Sequence, residues 1–404
     1  MRDLYLYDAV RTPRGKGKPG GALSSLLPQE LLRQLIVALR ARNGSEAVDG
    51  ATSMTLGCVG QIGAQGGQIA LVTKLHAGLP ASMQTRTINN YCVSGLTATR
   101  LAAFDASGAD DGHMRLAGGV EMMSLVPFLA DNAHYYNDPD TARELRYVPV
   151  PLSADLMATM GGFSRDELDI VTARSHQRAA MAWTNGPLQE VVAIRDAAGD
   201  VLLDRDESIR GDTTVDALSR LEPAFNAVGA AGYDAVMLTA RPELTEIRHI
   251  HTVAHCPPIA DGAALVLLGS RAAGEAVGLK PKARIRALAE ASADPVLQLT
   301  AGFAAMDKAL NDAGLTLSDM DRIEFMEAFA ATPVKFERDY SPDLARVNPE
   351  GGHLAMGHPM GATGGVLVAT LLAGLERQGG TLGLAVAHGG SGVGAAIVIE
   401  RLPR

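Results

Sequence analysis

The sequence predicts an α/β protein with a sheet covered by helices on both faces. Two observations lead to this prediction. Short β-type stretches alternate with helical patterns along the chain, which is typical of a parallel sheet, and the 44 glycines lie among Ala and Val runs instead of forming a repeat. The 404 residues exceed what one hydrophobic core usually supports. We therefore expect two or three domains, or one duplicated domain.

The alternation is clearest in the first 120 residues and in the last third of the chain. The expected strands and helices are strands at 4–9, 54–57, 85–89, 114–117, 263–268, 283–289, 323–326, 382–387 and 396–400, and helices at 28–43, 68–76, 94–107, 299–313 and 361–377. Between these regions, residues 131–151 are rich in Pro, Asp, Asn and Tyr and show little periodicity, which indicates an inserted lobe. Ser164 and Glu167 form a capping-box pattern that predicts a helix running towards Trp183.

Composition excludes several functional classes. The formal net charge of -9 argues against nucleic-acid binding, which needs many cationic contacts. No apolar run approaches the roughly 20 residues that span a bilayer, and the N-terminus lacks the apolar core of a signal peptide. Three cysteines are too few for a disulfide framework in so long a chain. We expect a soluble cytoplasmic protein without nucleic-acid or membrane partners.

Cys92 follows an expected strand and precedes an expected helix. Free N–H groups and the positive dipole end of that helix would favour a thiolate, and Gly95 would let a ligand approach the backbone. Cys92 is therefore a candidate nucleophile. The alternative is an inert buried cysteine.

His358 lies in a similar turn, between Gly357 and the helix that follows. Its imidazole could activate a thiol as a base, although a histidine in a turn is often only structural. In both halves of the chain, a turn with a reactive side chain thus precedes a Gly- and Ala-rich helix. This pattern suggests a duplication in which the two turns face one another.

The glycine-rich stretch 388–394 lies between two expected strands. A dinucleotide-binding fingerprint would need a helix after it, so that interpretation fails. Backbone N–H donation to an oxyanion suits such a turn better.

His249, His251, His255 and Cys256 are the only cluster with conceivable metal spacing. On a strand, the three histidines would project to one face. On the C-terminal side of the cluster the nearest carboxylate is Asp261, and two prolines at 257 and 258 would distort a strand. We predict no metal.

Together these stretches resemble the thiolase family along essentially the whole chain. The motifs that carry the resemblance are residues 8–13, 89–95, 117–124, 221–225, 261–263, 327–329 and 351–364. The resemblance implies a thiolase-like fold of two similar βαβαβ halves in a five-layered α/β/α/β/α arrangement with an inserted loop domain. The implied domains are an N-terminal half (1–119 plus 250–271), a CoA-binding loop domain (120–249) and a C-terminal half (272–404). It also implies homodimers or homotetramers.

The resemblance further implies roles for individual residues. Cys92 would accept the acyl group, His358 would activate its thiol, and the N–H groups of Cys92 and Gly390 would hold the thioester oxyanion. Coenzyme A, as a substrate and not as a cofactor, would lie on the loop domain. The residues expected to contact it are Arg210, Leu221, Phe225, His255 and Pro257.

This sequence departs from the family pattern at three places. His388 stands where a second catalytic cysteine is usual, and a free imidazole should be a better acid and weaker base than a thiol. Met326 replaces a hydrogen-bonding Asn or His, and a thioether cannot donate a hydrogen bond, so either His388 or another group compensates or turnover is slow. Pro257, together with the segment 149–151, alters the expected contacts to CoA.

The sequence therefore predicts an acyltransferase that cleaves or forms 3-oxoacyl-CoA through an acyl-cysteine at Cys92. Two alternatives remain open at this point. A set of Cys92, His358 and His388 resembles decarboxylating condensing enzymes, and the loss of a donor at Met326 would suit a catalytically weak acyl-CoA-binding protein.

Overall fold

The computed structural model describes residues 4–109, 112–184 and 186–403. Its strands are β1 (Leu4–Arg11), β2 (Gly15–Lys16), β3 (Ser53–Gly57), β4 (Gln84–Ile88), β5 (Arg115–Met122), β6 (Ile194–Arg195), β7 (Val201–Leu203), β8 (Ala260–Ser270), β9 (Ala283–Ser292), β10 (Arg322–Phe325), β11 (Leu382–Gly389) and β12 (Val393–Arg401).

The helices carry the expected alternation between these strands. They are α1 (Pro28–Asn43), α2 (Ser45–Asp49), α3 (Ile69–His76), α4 (Ser94–Ala109), α5 (His134–Asn137), α6 (Pro139–Glu144), α7 (Val150–Gly161), α8 (Arg165–Thr184), α9 (Val215–Ser219), α10 (Asn226–Val228), α11 (Asp234–Ala240), α12 (Arg271–Ala276), α13 (Ala301–Ala313), α14 (Ala331–Tyr340), α15 (His353–Met356) and α16 (Thr363–Gln378). Among the described residues, no helix combines the length and apolar character that a bilayer crossing requires.

The large sheet is mixed, so the expectation of a parallel sheet was wrong. Its strand order is β4-β3-β5-β8-β1-β9-β12-β11-β10, with β2 paired to β8. Only the pairs β3–β4, β3–β5 and β10–β11 are parallel among these described strands. The turn between β11 and β12 explains part of the difference. It is too short for a crossover, so these two strands must run antiparallel.

The sheet consists of two similar halves joined where β1 pairs with β9. In the first half, β4 lies beside β3. In the second half, Val347 forms an isolated parallel bridge to Ile323 of β10 at the corresponding position. This correspondence agrees with the duplication that the two reactive turns suggested.

Alternating side chains divide the apolar interior into three layers. Leu4 and Leu6 of β1 face an inner core between the two halves, whereas Tyr5 and Tyr7 face an outer core beneath α1. A third core lies on the other side of the C-terminal half, where α13 packs on β9 and β12. Because successive strand residues point to opposite faces, each half is buried on both sides.

Helices α4 and α16 fill the inner layer and contact strands of both halves. Together with the outer helices and the two halves of the sheet, they give five layers in the order helix, sheet, helix, sheet, helix. The five-layered α/β fold expected from the resemblance is therefore confirmed.

The segment between β5 and β8 carries helices α5 to α11, and three of them (α5, α6 and the start of α7) lie in the stretch that looked irregular in sequence. Helix α8 begins as predicted: the Ser164 and Glu167 side chains each bond the other's backbone N–H. Helix α7 was missed because its sequence opens with Pro149 and Pro151. Proline at the first turn is compatible with a helix, since those N–H groups have no intrahelical partner. Strand β5 extends to Met122, three residues beyond the predicted end of the first domain segment, and the domain boundaries stay predictions.

Candidate active site

The turns that carry Cys92 and His358 meet at the N-terminal ends of α4 and α16. A methyl group on Gly95 would lie 2.7 Å from the Gly365 nitrogen, and one on Gly364 would overlap the Leu96 nitrogen. The two helix ends can approach this closely only because both positions are glycine. The structure thus brings the two turns face to face.

Replacing Gly95 with alanine is expected to lower the free energy of unfolding by about 1–3 kcal/mol, because the methyl group overpacks this crossing. Gly108 lies in the same helix with open space around it, so Gly108→Ala should stabilise the protein by up to about 1 kcal/mol. Urea unfolding of both variants checks the prediction. Equal effects at the two positions would contradict it.

Cys92 lies at a sharp bend, half-buried against the inner core. The preceding residue, Tyr91, has a φ of 47°, and the Asn89 side chain accepts its N–H at 2.9 Å. The N–H groups of Gly390 and of Cys92 itself both favour a charged sulfur. Burial outweighs them and raises the thiol pKa to about 11. The helix end favours a thiolate as expected, but too weakly to ionise Cys92 near neutral pH, so Cys92 requires a base.

A raised pKa means that the thiolate fraction of Cys92 increases with pH until about pH 11. Alkylation by iodoacetamide should therefore accelerate about 100-fold between pH 7 and pH 9 without a plateau, because only the thiolate reacts. Mass mapping of the Cys92 peptide measures this rate. A plateau near neutral pH would instead reveal a thiolate already formed.

His358 is held by one ring nitrogen and free at the other. Its Nδ1 lies 2.6 Å from the Thr363 hydroxyl, whereas its buried Nε2 has no partner. Burial, together with a smaller contribution from the nearby Arg14 guanidinium, lowers its pKa to about 3. Arg14 also donates to the Gly357 carbonyl at 2.9 Å, which fixes the turn. The imidazole is therefore a neutral base with one nitrogen available.

The His388 ring lies on the opposite face of its strand from Cys92. Its neighbours are Phe303 and Phe325 in the outer C-terminal core, with ring centroids 5.0 and 4.9 Å away. Ala387, one residue earlier, faces the inner core instead. The side chains of Cys92, His358 and His388 therefore do not form one set, which removes the structural argument for a decarboxylating enzyme.

Burial also alters the expected chemistry of His388. It lowers the imidazole pKa to about 3, so the ring is neutral near pH 7 and is not the improved acid that a free imidazole would be. Its backbone N–H donates to the Met326 sulfur at 3.4 Å.

Gly390 begins the short turn between β11 and β12, as the glycine-rich stretch indicated. The Ser391 N–H donates to the Gln298 side chain at 2.7 Å, and Ser391 has a φ of 58°. These contacts fix the turn while the Gly390 N–H is directed at the Cys92 sulfur.

The residues expected to bind CoA differ in exposure. Arg210 and Leu221 are exposed, and Phe225 and Pro257 are half-buried. His255 is fully buried, with Nε2 2.7 Å from Asp169 and Nδ1 accepting the Thr252 N–H. No ring nitrogen of His255 remains for a ligand, so its imidazole holds the loop.

The remaining histidines of that cluster contact another carboxylate. Asp155 of α7 lies 2.8 Å from His249 Nδ1 and 2.7 Å from His251 Nδ1. The segment that holds these histidines is irregular and ends in a short helical turn, so the histidines do not share one face of a strand. Asp155 and Asp169 are far from the histidines in sequence, and no spacing signal identified them.

The fold and site are thus defined by two similar halves in which a cysteine turn faces a histidine turn. Residues 4–233 match the thiolase N-terminal domain, and residues 279–401 match the thiolase C-terminal domain. The chain belongs to the thiolase family and is a thiolase-type acyltransferase.

Individual relatives are similar over their full lengths. The chain is 35% identical to the Beta-ketoadipyl-CoA thiolase of Pseudomonas aeruginosa, over 99% of this chain and 100% of that protein. It is 33% identical to the 3-ketoacyl-CoA thiolase of Saccharophagus degradans, over 99% of both chains. The crystal structure of the Bacillus anthracis acetyl-CoA acetyltransferase superimposes with a TM-score of 0.83 at 29% identity, over 100% of this chain and 99% of that one.

Proposed function

We propose that this protein transfers the acyl group of a 3-oxoacyl-CoA to CoA through an acyl-thioester on Cys92, in either direction. The observation that carries the proposal is the arrangement around the Cys92 sulfur. Two backbone N–H groups are directed at this sulfur, and the turn that carries His358, a neutral histidine with one free ring nitrogen, packs against the turn that carries Cys92.

The first step is attack of the Cys92 sulfur on the ketone carbon. His358 takes the thiol proton, and the N–H groups of Cys92 and Gly390 hold the oxygen of the tetrahedral intermediate. The bond between C2 and C3 then breaks, its electron pair remains on the departing acetyl-CoA, and the proton ends on C2. In the second step, the CoA thiol attacks the acyl-cysteine, which gives a shortened acyl-CoA and restores the thiol.

We propose that CoA binds along the segment 120–249. Arg210 and Leu221 are exposed there and can contact a ligand, and Phe225 and Pro257 are partly accessible. Arg210 is tied by its backbone N–H to His176 at 3.2 Å, which leaves its guanidinium available for a phosphate.

Acetoacetyl-CoA and CoA test the proposal. Purified protein should produce acetyl-CoA as the 3-oxoacyl thioester disappears, and intact mass should show an acetyl adduct that maps to Cys92. The proposal would be contradicted if the wild-type protein formed acetyl-CoA no faster than Cys92→Ala, both from this substrate and from a longer 3-oxoacyl-CoA. A stable adduct on Cys92 would exclude mere binding.

We also propose that two or four copies assemble in solution, in a reducing compartment such as the cytoplasm. Strand β4 forms one edge of the sheet with side chains that are exposed or half-buried, and an uncovered edge can pair with a second copy. Cys58, Cys92 and Cys256 are free thiols, which suits such a compartment. Light scattering should give the mass of a dimer or tetramer. The mass of a single chain would contradict the assembly.

A further inference from the structure

Met326 leaves the proposed reaction without one hydrogen-bond donor. Its side chain is 1% exposed, and its sulfur accepts the His388 N–H, so it offers no donor to an oxygen. Breaking the bond between C2 and C3 places negative charge on the thioester oxygen of the departing acetyl-CoA. An enzyme that stabilises this enolate needs donors beside His358.

His353 is a second imidazole beside the proposed base. Its ring centroid is 5.8 Å from that of His358, and the two planes cross at 75°. It is 2% exposed, and neither of its ring nitrogens has a hydrogen-bond partner. A buried imidazole normally has its N–H satisfied, because an unpaired polar group costs about 1–3 kcal/mol. Three free nitrogens, two on His353 and Nε2 of His358, thus belong to adjacent buried rings.

Hydrogen bonds tie the segment that contains Met326 to the start of α15, where His353 lies. The carboxylate of Glu327 accepts the Leu354 N–H at 3.0 Å and the Ser175 hydroxyl at 2.7 Å. A methyl group on Gly352 would overlap this carboxylate. Glu327 directly follows Met326 and contacts both neighbours of His353. Met326, which has no hydrogen-bond donor, and the unpaired imidazole of His353 are therefore held in fixed positions relative to one another.

We propose that His353 is a catalytic residue that donates a hydrogen bond to the enolate oxygen of acetyl-CoA, beside His358, and so supplies the donor that Met326 lacks. The inference rests on the proposed thiolase function. The electron pair of the broken carbon-carbon bond delocalises onto the thioester oxygen, which His353 and His358 hold until C2 is protonated. In the reverse direction, the same contacts stabilise the enolate when a proton leaves C2.

The ring has the protonation state that this role requires. Burial and the nearby Arg14 and His358 hold the pKa of His353 well below its usual value, so the imidazole is neutral and carries one N–H. A neutral donor can stabilise a developing oxyanion without adding a buried charge.

Deuterium exchange into acetyl-CoA isolates this step from thiol chemistry. The protein is incubated with acetyl-CoA in D₂O, and mass spectrometry measures both deuterium on the acetyl carbon and the acetyl adduct on Cys92. His353→Ala should slow exchange about 10²–10³-fold, as expected for the loss of one oxyanion donor. The rate of adduct formation should change less than about threefold, because Cys92 and His358 are untouched.

Conservative replacements separate a lost donor from a lost fold. His353→Asn keeps an N–H donor and should retain exchange within about tenfold of wild type. Met326→Asn in the His353→Ala background returns a donor to position 326 and should recover at least about tenfold in exchange. His76→Ala, which removes an imidazole from the surface near Glu30, is the control for unchanged exchange.

The outcomes are distinct. Exchange in His353→Ala within about threefold of wild type, with the adduct intact, overturns the role of His353 alone. Loss of adduct and exchange together, with no recovery in either asparagine variant, also overturns it and indicates a structural role. A wild-type protein that forms no adduct overturns the proposed function, and this inference with it.

Discussion

Replacing Cys92 with alanine is expected to reduce acyl transfer to the rate of the uncatalysed mixture, a loss of at least about 10⁴-fold. The N–H groups of Cys92 and Gly390 are both directed at this sulfur, and alanine has no sulfur to attack the substrate. The variant should also form no covalent adduct with acetoacetyl-CoA. Acetyl-CoA release and intact mass measure the two effects on the same sample.

Cys256→Ala is the matched control for Cys92→Ala. Cys256 is also partly buried, but its thiol donates to the Thr252 carbonyl of its own loop at 3.5 Å, and burial raises its pKa to about 12. We expect wild-type turnover and the same adduct on Cys92. An adduct that persists in Cys92→Ala and disappears in Cys256→Ala would show that the nucleophile is Cys256 and not Cys92.

His358→Asn should reduce the rate about 10²–10⁴-fold, because the Cys92 thiol then has no base to accept its proton. With a thiol pKa of about 11, only a minute fraction ionises at neutral pH without help. Initial rates of acetoacetyl-CoA thiolysis measure the loss. His134→Asn makes the same substitution at an exposed position and should leave the rate unchanged.

The pH dependence follows from the direction of the His358 pKa shift. The neutral base exists above its folded pKa of about 3, so its activity is lost only as the pH falls towards that value. Between pH 5 and pH 8, His358 should contribute no acidic limb to the profile of kcat/KM. An acidic limb near 6.5 that is absent from His358→Asn would show that the ring titrates as a solvated imidazole.

The local pattern determined much of the architecture. Short apolar stretches of β type located β1 and β8, and Pro28 with Asn43 bounded α1 at the residues observed. The side chains of Ser164 and Glu167 predicted the start of α8 for the reason seen in the structure. The turns before α4 and α16 were recognisable from the glycines and other small residues beside Cys92 and His358. Such small residues are needed because the two helix ends touch.

Tertiary structure alone decided the contacts made across long stretches of chain. The sequence placed His388 after a strand but did not determine which face of the sheet its side chain would occupy. A shift of one residue along the strand moves a side chain from the inner core to the outer core that contains Phe303. Asp155 and Asp169 became the partners of three histidines roughly 90 residues away because α7 and α8 pack against that loop. Burial reversed the expected ionisation of Cys92. Local sequence sets the backbone geometry and the spacing of side chains. The face that a side chain occupies, its loss of solvent and its hydrogen-bond partners depend on neighbours that only folding brings together.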